Sequence, residues 1–251
     1  MPGCSSFAYP FVFLHGFLGS PTDWGPLRSF LPPHQSIALM LPGHGDCPLP
    51  AKRPLLPVVI DAIIEAIEAK LTCSEKYTLV GYSLGGRLAL HLALRYSKQI
   101  DKLILIAANP GLDTKKEQRL ARDQAWADLL SRKGIDHFIT TWYQQPLFRH
   151  FSLTPERAAL RKKHASASLQ RMLRDLSPAV IPSLWPMVKK ISIPTLFLFG
   201  KEDQKYANIA NRLNSLKSSI KTVAIQGAGH VVHLEKPQLT AAAIETFCNP
   251  G

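Results

Sequence analysis

At 251 residues with 46% hydrophobic content, the chain can bury one sizeable core, and a single α/β domain carrying an insertion suits it better than two independent domains. No apolar run approaches the ~20 residues of a membrane span. The formal charge of +12 brings no block of Lys and Arg interleaved with aromatics, which argues against nucleic acid and for a field that draws in an anionic small molecule.

In chain order, residues 9–14 read as a buried strand running into His15-Gly16-Phe17-Leu18-Gly19. A short helix over 23–31 and a second strand over 35–41 come next, the latter ended by Pro42-Gly43-His44-Gly45, a structural turn. Residues 56–71 form a helix with Val59, Ile60, Ile63, Ile64 and Ile67 on its inner side. The run Tyr77-Thr78-Leu79-Val80 is a strand that feeds Gly81-Tyr82-Ser83-Leu84-Gly85, and Leu84, Leu88, Leu92 and Tyr96 mark one stripe of the next helix. A fourth strand covers 102–107. From about Asp113 to Lys190 the pattern is helical only, with breaks at Gly134, Pro146, Pro155, Pro178 and Pro186. Alternation resumes with a strand at 194–199, a helix from about Tyr206 to Leu216, a strand at 220–225 and a closing helix after Pro237.

Strands alternating with helices predict an α/β fold with a mostly parallel sheet covered on both faces. Residues 1–112 and 191–251 form its two halves, and residues 113–190 a helical lid over the C-terminal strand ends, where such sheets place ligands. The lid is also where the charge collects: residues 111–176 hold thirteen Lys or Arg against seven Asp or Glu.

Strand, Gly-x-Ser-x-Gly and helix together make a nucleophile elbow, with Ser83 lifted into the open above a helix N-terminus. A serine hydroxyl needs a neighbouring base, and that base an orienting acid. Asp203, just past the strand at 194–199, is the candidate acid, with Glu202 as the alternative. His230, just past the strand at 220–225, is the candidate base, with His233 as the alternative. The N–H groups of Phe17 and Leu84 are the expected oxyanion-hole donors. Cys4, Cys47, Cys73 and Cys248 are scattered with no metal-ligand spacing, and no basic n-region with an apolar stretch and cleavage site opens the chain. The expectation is a cytoplasmic protein with reduced thiols, no metal and no cofactor. The oligomeric state is not legible.

Leu14-His-Gly-Phe-Leu-Gly-Ser20, Leu41-Pro-Gly-His-Gly45, Val80-Gly-Tyr-Ser-Leu-Gly-Gly-Arg87, Asn109-Pro-Gly-Leu112 and Trp142-Tyr-Gln-Gln-Pro-Leu-Phe148 resemble the 2-succinyl-6-hydroxy-2,4-cyclohexadiene-1-carboxylate synthases of menaquinone biosynthesis. The resemblance implies the α/β-hydrolase fold and a lyase in which a Ser-His-Asp triad abstracts a proton and pyruvate is eliminated from a cyclohexene carrying several carboxylates. It implies Ser83, Asp203 and His230 as that triad, and Tyr82, Arg87, Trp142, Arg161 and either Arg119 or Arg122 as substrate contacts. Arginine suits the task, because its planar fork binds a carboxylate through two hydrogen bonds. Two departures stand out. Only about nine residues precede the first strand, so the leading β-hairpin is missing or rudimentary, and Lys162-Lys163-His164-Ala165 is more basic than the small and amide residues expected there. The competing readings are a carboxylic-ester hydrolase working through an acyl-enzyme and a catalytically silent scaffold that binds.

Overall fold

A computed structural model describes residues 7–32, 35–71, 76–216 and 218–249. Six strands, β1 (Phe11–Leu14), β2 (Ser36–Leu39), β3 (Tyr77–Tyr82), β4 (Ile100–Ile106), β5 (Thr195–Gly200) and β6 (Ile220–Ile225), form one sheet in the order β2-β1-β3-β4-β5-β6. Every pairing among them is parallel. The central strands β1 and β3 are buried at every position, which is why they read as unbroken apolar runs rather than alternating ones. No antiparallel strand lies beside them among the described residues.

Parallel strands need crossovers, and helices supply them. Helix α1 (Gly25–Arg28) follows β1, α2 (Leu55–Glu68) follows β2, and α3 (Leu84–Arg95) follows β3. Helix α7 (Gln204–Ser215) joins β5 to β6, and α8 (Val232–Glu235) and α9 (Pro237–Cys248) close the chain. The expected inner face of α2 is the buried one. The helix expected over 23–31 is shorter: a 3-10 turn at Pro21–Trp24 leads into α1. Pro26 has no N–H to return to Thr22, so the regular i to i−4 ladder is interrupted there.

Between β4 and β5 the described chain contains helices and no strand: α4 (Lys116–Tyr143), α5 (Pro155–Lys162) and α6 (Ser166–Asp175). Helix α4 kinks at Gly134, whose φ of 74° and ψ of 175° are not helical. Helix α5 starts at Pro155 with Thr154 as its cap, and α6 ends before Pro178. These helices have an apolar cluster of their own, Ala127, Leu130, Phe138, Leu169 and Leu173, and Leu18 of the loop after β1 is buried within it.

Candidate active site

After β1 the chain turns to β2 on one side, and after β3 to β4 on the other. The two loops therefore part, leaving a crevice at the carboxyl ends of β1 and β3, the switch point where open α/β sheets bind ligands. Ser83 sits at this crevice with φ 50° and ψ −107°, a strained conformation for a residue with a side chain. Its neighbours hold it there: its N–H donates to the Ile106 carbonyl at 2.9 Å, and its carbonyl accepts from Arg87 N–H at 3.1 Å. The flanking glycines are required by contact. A Cβ on Gly81 would lie 2.6 Å from the Gly86 Cα, and one on Gly85 would run into the Leu14 carbonyl. The N–H groups of Phe17 and Leu84 make no hydrogen bond among the described residues.

Asp203 ends the turn after β5 and uses its two oxygens separately. Oδ1 accepts from Tyr206 N–H at 3.3 Å, capping α7, and Oδ2 lies 3.0 Å from His230 Nδ1. Helix cap and histidine partner are thus one residue. With Nδ1 donating to the carboxylate, the His230 Nε2 lone pair is free. Burial lowers the His230 pKa against the opposing pull of Asp203, so the ring is neutral near pH 7. Tyr206, Tyr82 and Phe148 enclose the ring, with centroids at 4.8, 5.3 and 5.9 Å. No hydrogen bond joins Ser83 Oγ to His230 among the described residues. The two alternatives are placed differently. Glu202 is exposed, and its backbone carbonyl accepts from Arg149. His233 is buried against Trp24 and Tyr82, bonds no carboxylate among the described residues, and is pushed down to about 3, first by burial.

These groups open on a cavity of about 500 Å³ that all eleven candidate residues line, including both Arg119 and Arg122. The loops after β1, β3, β5 and β6 form one wall, and the helices between β4 and β5 form the other. Trp142 stacks with Phe138 at 5.5 Å and packs at 5.0 Å from Phe17, joining the two walls.

The arginines are not equivalent. Arg87, one helical turn past Ser83, is buried with its Nε unpartnered, and burial followed by the Arg119 charge lowers it to about 10. Arg119 is held by Asp123, Nε to Oδ2 at 2.7 Å. Arg122 has no ion pair among the described residues. Arg161 arrives already engaged: its Nη2 donates to both Asp23 oxygens at 2.7 and 2.8 Å, and its Nε to Tyr143 at 3.4 Å. Only its buried Nη1 remains uncommitted.

Sequence reasoning missed two groups here. Lys205 lines the cavity while remaining exposed on its outer side, and its ammonium is lowered to about 8, first by desolvation and then by the Arg119 and Arg122 charges. Tyr206 covers His230. Both lie within three residues of Asp203 at the start of α7, so their place in the chain is the signal that could have found them. Asp23, the anchor for Arg161, carries no such signal, because 138 residues separate the pair.

The comparisons with known proteins agree with this architecture. The model of the alpha/beta hydrolase family matches residues 11–243. The chain is 34% identical to the 2-succinyl-6-hydroxy-2,4-cyclohexadiene-1-carboxylate synthase of Serratia proteamaculans, over 96% of this chain and 93% of that one. It is 32% identical to the synthase of Enterobacter sp. (strain 638), over 93% and 89%. The structure of MenH from S. aureus superposes with a TM-score of 0.86 at 29% identity, covering 95% of this chain and 92% of that one. A core built around a strained Ser83 elbow, with relatedness sustained along nearly the whole length, shows that the chain belongs to the alpha/beta hydrolase family and, within it, to the 2-succinyl-6-hydroxy-2,4-cyclohexadiene-1-carboxylate synthases.

Proposed function

We propose that the chain is a carbon–oxygen lyase that eliminates pyruvate from a cyclohexene bearing several carboxylates, giving 2-succinyl-6-hydroxy-2,4-cyclohexadiene-1-carboxylate. The observation that carries this reading is the cationic wall beside Ser83. Arg87, Arg119, Arg122 and Lys205 face one cavity, and Asp123 is the carboxylate that the ion pairs put among them. Packing like charges this closely is unfavourable until anions bind, and a neutral ester would leave the cations unmatched.

The chemistry assigned to the site rests on its geometry. Binding brings the Ser83 hydroxyl to His230 Nε2, which accepts its proton while Asp203 stabilises the imidazolium. The Ser83 oxygen takes the proton next to the substrate carbonyl, and the C–H electrons move onto the carbonyl oxygen. The Phe17 and Leu84 N–H groups receive that charge. Its return forms the second ring double bond, in conjugation with the first, and breaks the C–O bond; the pyruvate enolate that leaves takes up the proton held by the His230 imidazolium, which restores the neutral ring. Tyr82 and Trp142 shape the apolar part of the cavity, and residues 113–190 act as its lid. The free thiols of Cys47 and Cys248 suit a cytoplasmic enzyme; Cys4 and Cys73 lie outside the described residues. No helix among the described residues is long and apolar enough to cross a membrane.

The test is pyruvate release from the pyruvate-bearing cyclohexene, run beside p-nitrophenyl acetate hydrolysis. Ser83→Ala should fold, by circular dichroism, and lose on the order of 10⁴-fold or more in kcat. Fast ester turnover with no pyruvate released would favour the esterase instead.

A further inference from the structure

Three buried histidines lie outside the site: His15, His44 and His164. They pack edge to face in a row, with centroids 4.7 Å apart for the first pair and 5.1 Å for the second. Each uses a ring lone pair to accept a backbone N–H. His15 Nε2 accepts from Leu41, His44 Nε2 from Leu18 at 3.2 Å, and His164 Nδ1 from Gly45 at 2.8 Å. An imidazole that accepts at one nitrogen carries its proton on the other. His164 therefore donates from Nε2, and its partner is the Leu18 carbonyl at 3.1 Å.

Leu18 is thus gripped at three points. Its N–H is held by His44, its carbonyl by His164, and its side chain by the apolar cluster of the helices between β4 and β5. It needs such support, since its φ of 63° is unfavourable for a branched side chain. The residue before it is Phe17, which lines the cavity and whose N–H makes no hydrogen bond among the described residues. His164 itself stands between α5 and α6, in the basic stretch that departs from the family pattern.

We propose that His164 is a positioning residue, which with His44 clamps the backbone of Leu18 and thereby fixes the Phe17 N–H where negative charge develops. This rests on the reading of Phe17 as an oxyanion donor. It gives the helical insertion a direct hold on the reaction without touching the substrate. Carboxylate binding at the arginines does not pass through Leu18, so the clamp bears on kcat rather than KM.

Three variants test it. His164→Ala removes both hydrogen bonds, His164→Gln can place a donor near the Nε2 position and keep the bond to Leu18, and His164→Asn can place an acceptor near Nδ1 and keep only the bond to Gly45. The expected result is a drop in kcat of about tenfold or more for Ala with KM within about threefold, since small misplacements of a reacting group are costly. Gln should recover most of the loss and Asn little. Both pyruvate release and p-nitrophenyl acetate hydrolysis are read, because the same donor serves either oxyanion. If Ala fails to fold, the Gln and Asn pair decides alone. Equal activity in Gln and Asn, or a loss that falls on KM, overturns the clamp. Turnover of the ester alone would sink the lyase reading and leave the clamp standing, whereas a parent enzyme active on neither substrate removes both.

Discussion

Arg87 concentrates the electrostatics of the site in one side chain. It lies on the first turn of α3, so the helix that lifts Ser83 also aims a guanidinium into the same cavity. A buried Nε with no hydrogen-bond partner among the described residues makes it costly to the free protein and useful to a bound carboxylate. Arg87→Ala should lower kcat/KM for the polycarboxylate by about ten- to a hundred-fold or more, and leave p-nitrophenyl acetate hydrolysis nearly untouched. Arg87→Lys should recover part of that, because it restores the charge but not the fork. Steady-state kinetics on both substrates reads the outcome; an equal loss on both would mean that Arg87 serves the fold. At this scale the elbow was legible, since Gly-x-Ser-x-Gly is local. The partnership of Arg161 was not: the family resemblance implied a substrate contact, and the folded chain shows most of its donors already committed to Asp23 and Tyr143.

The Asp23–Arg161 pair belongs to the scale of elements, because it ties α5 to the 3-10 turn after β1. Both side chains are almost wholly buried, at 5% and 3% exposure, and Asp23 Oδ2 also accepts from Ser20 N–H at 3.0 Å. Removing one partner of a buried pair leaves an uncompensated charge. Asp23→Ala should therefore destabilise the protein by about 3–5 kcal/mol. Asp23→Ala combined with Arg161→Met should recover part of that, because the stranded cation goes with it. Urea midpoints of the two variants measure this; a double variant no more stable than Asp23→Ala would refute it. The helices themselves were readable from apolar period and proline position, as the kink at Gly134 and the start of α5 at Pro155 show.

For the whole molecule, buried histidines set the response to acid. His15 is lowered to about 4 and His233 to about 3, in both cases mainly by burial. Each binds a proton near pH 6.5 when unfolded and resists it when folded. Stability is thus full above about pH 6.5 and falls as the pH drops toward those folded values, by up to about 1.4 kcal/mol per unit for each ring. His233→Phe keeps a ring against Trp24 and Tyr82 and removes one such proton, so it should flatten the fall in urea midpoint between pH 6 and 4. An unchanged slope would show that His233 is not part of the acid response. The net charge of +12 acts at the same scale: raising ionic strength should slow capture of the anionic substrate, read as a fall in kcat/KM with kcat unchanged.

Local pattern along the chain was enough for the parallel sheet, the strained turn at Ser83 and the places of Asp203 and His230 just past two strands, because each is written in a few neighbouring residues at the end of a strand. Folding settled whatever depends on which distant groups share a space. Asp203 rather than Glu202 meets His230, both Arg119 and Arg122 reach the cavity, and Lys205 joins them. His44, expected to be a plain turn residue, and His164, read only as part of a basic stretch, hold Leu18 between them. The reason is physical: hydrogen bonds, burial and charge act through a few ångströms of space, and the partners that hold Leu18 lie 26 and 146 residues from it in the chain.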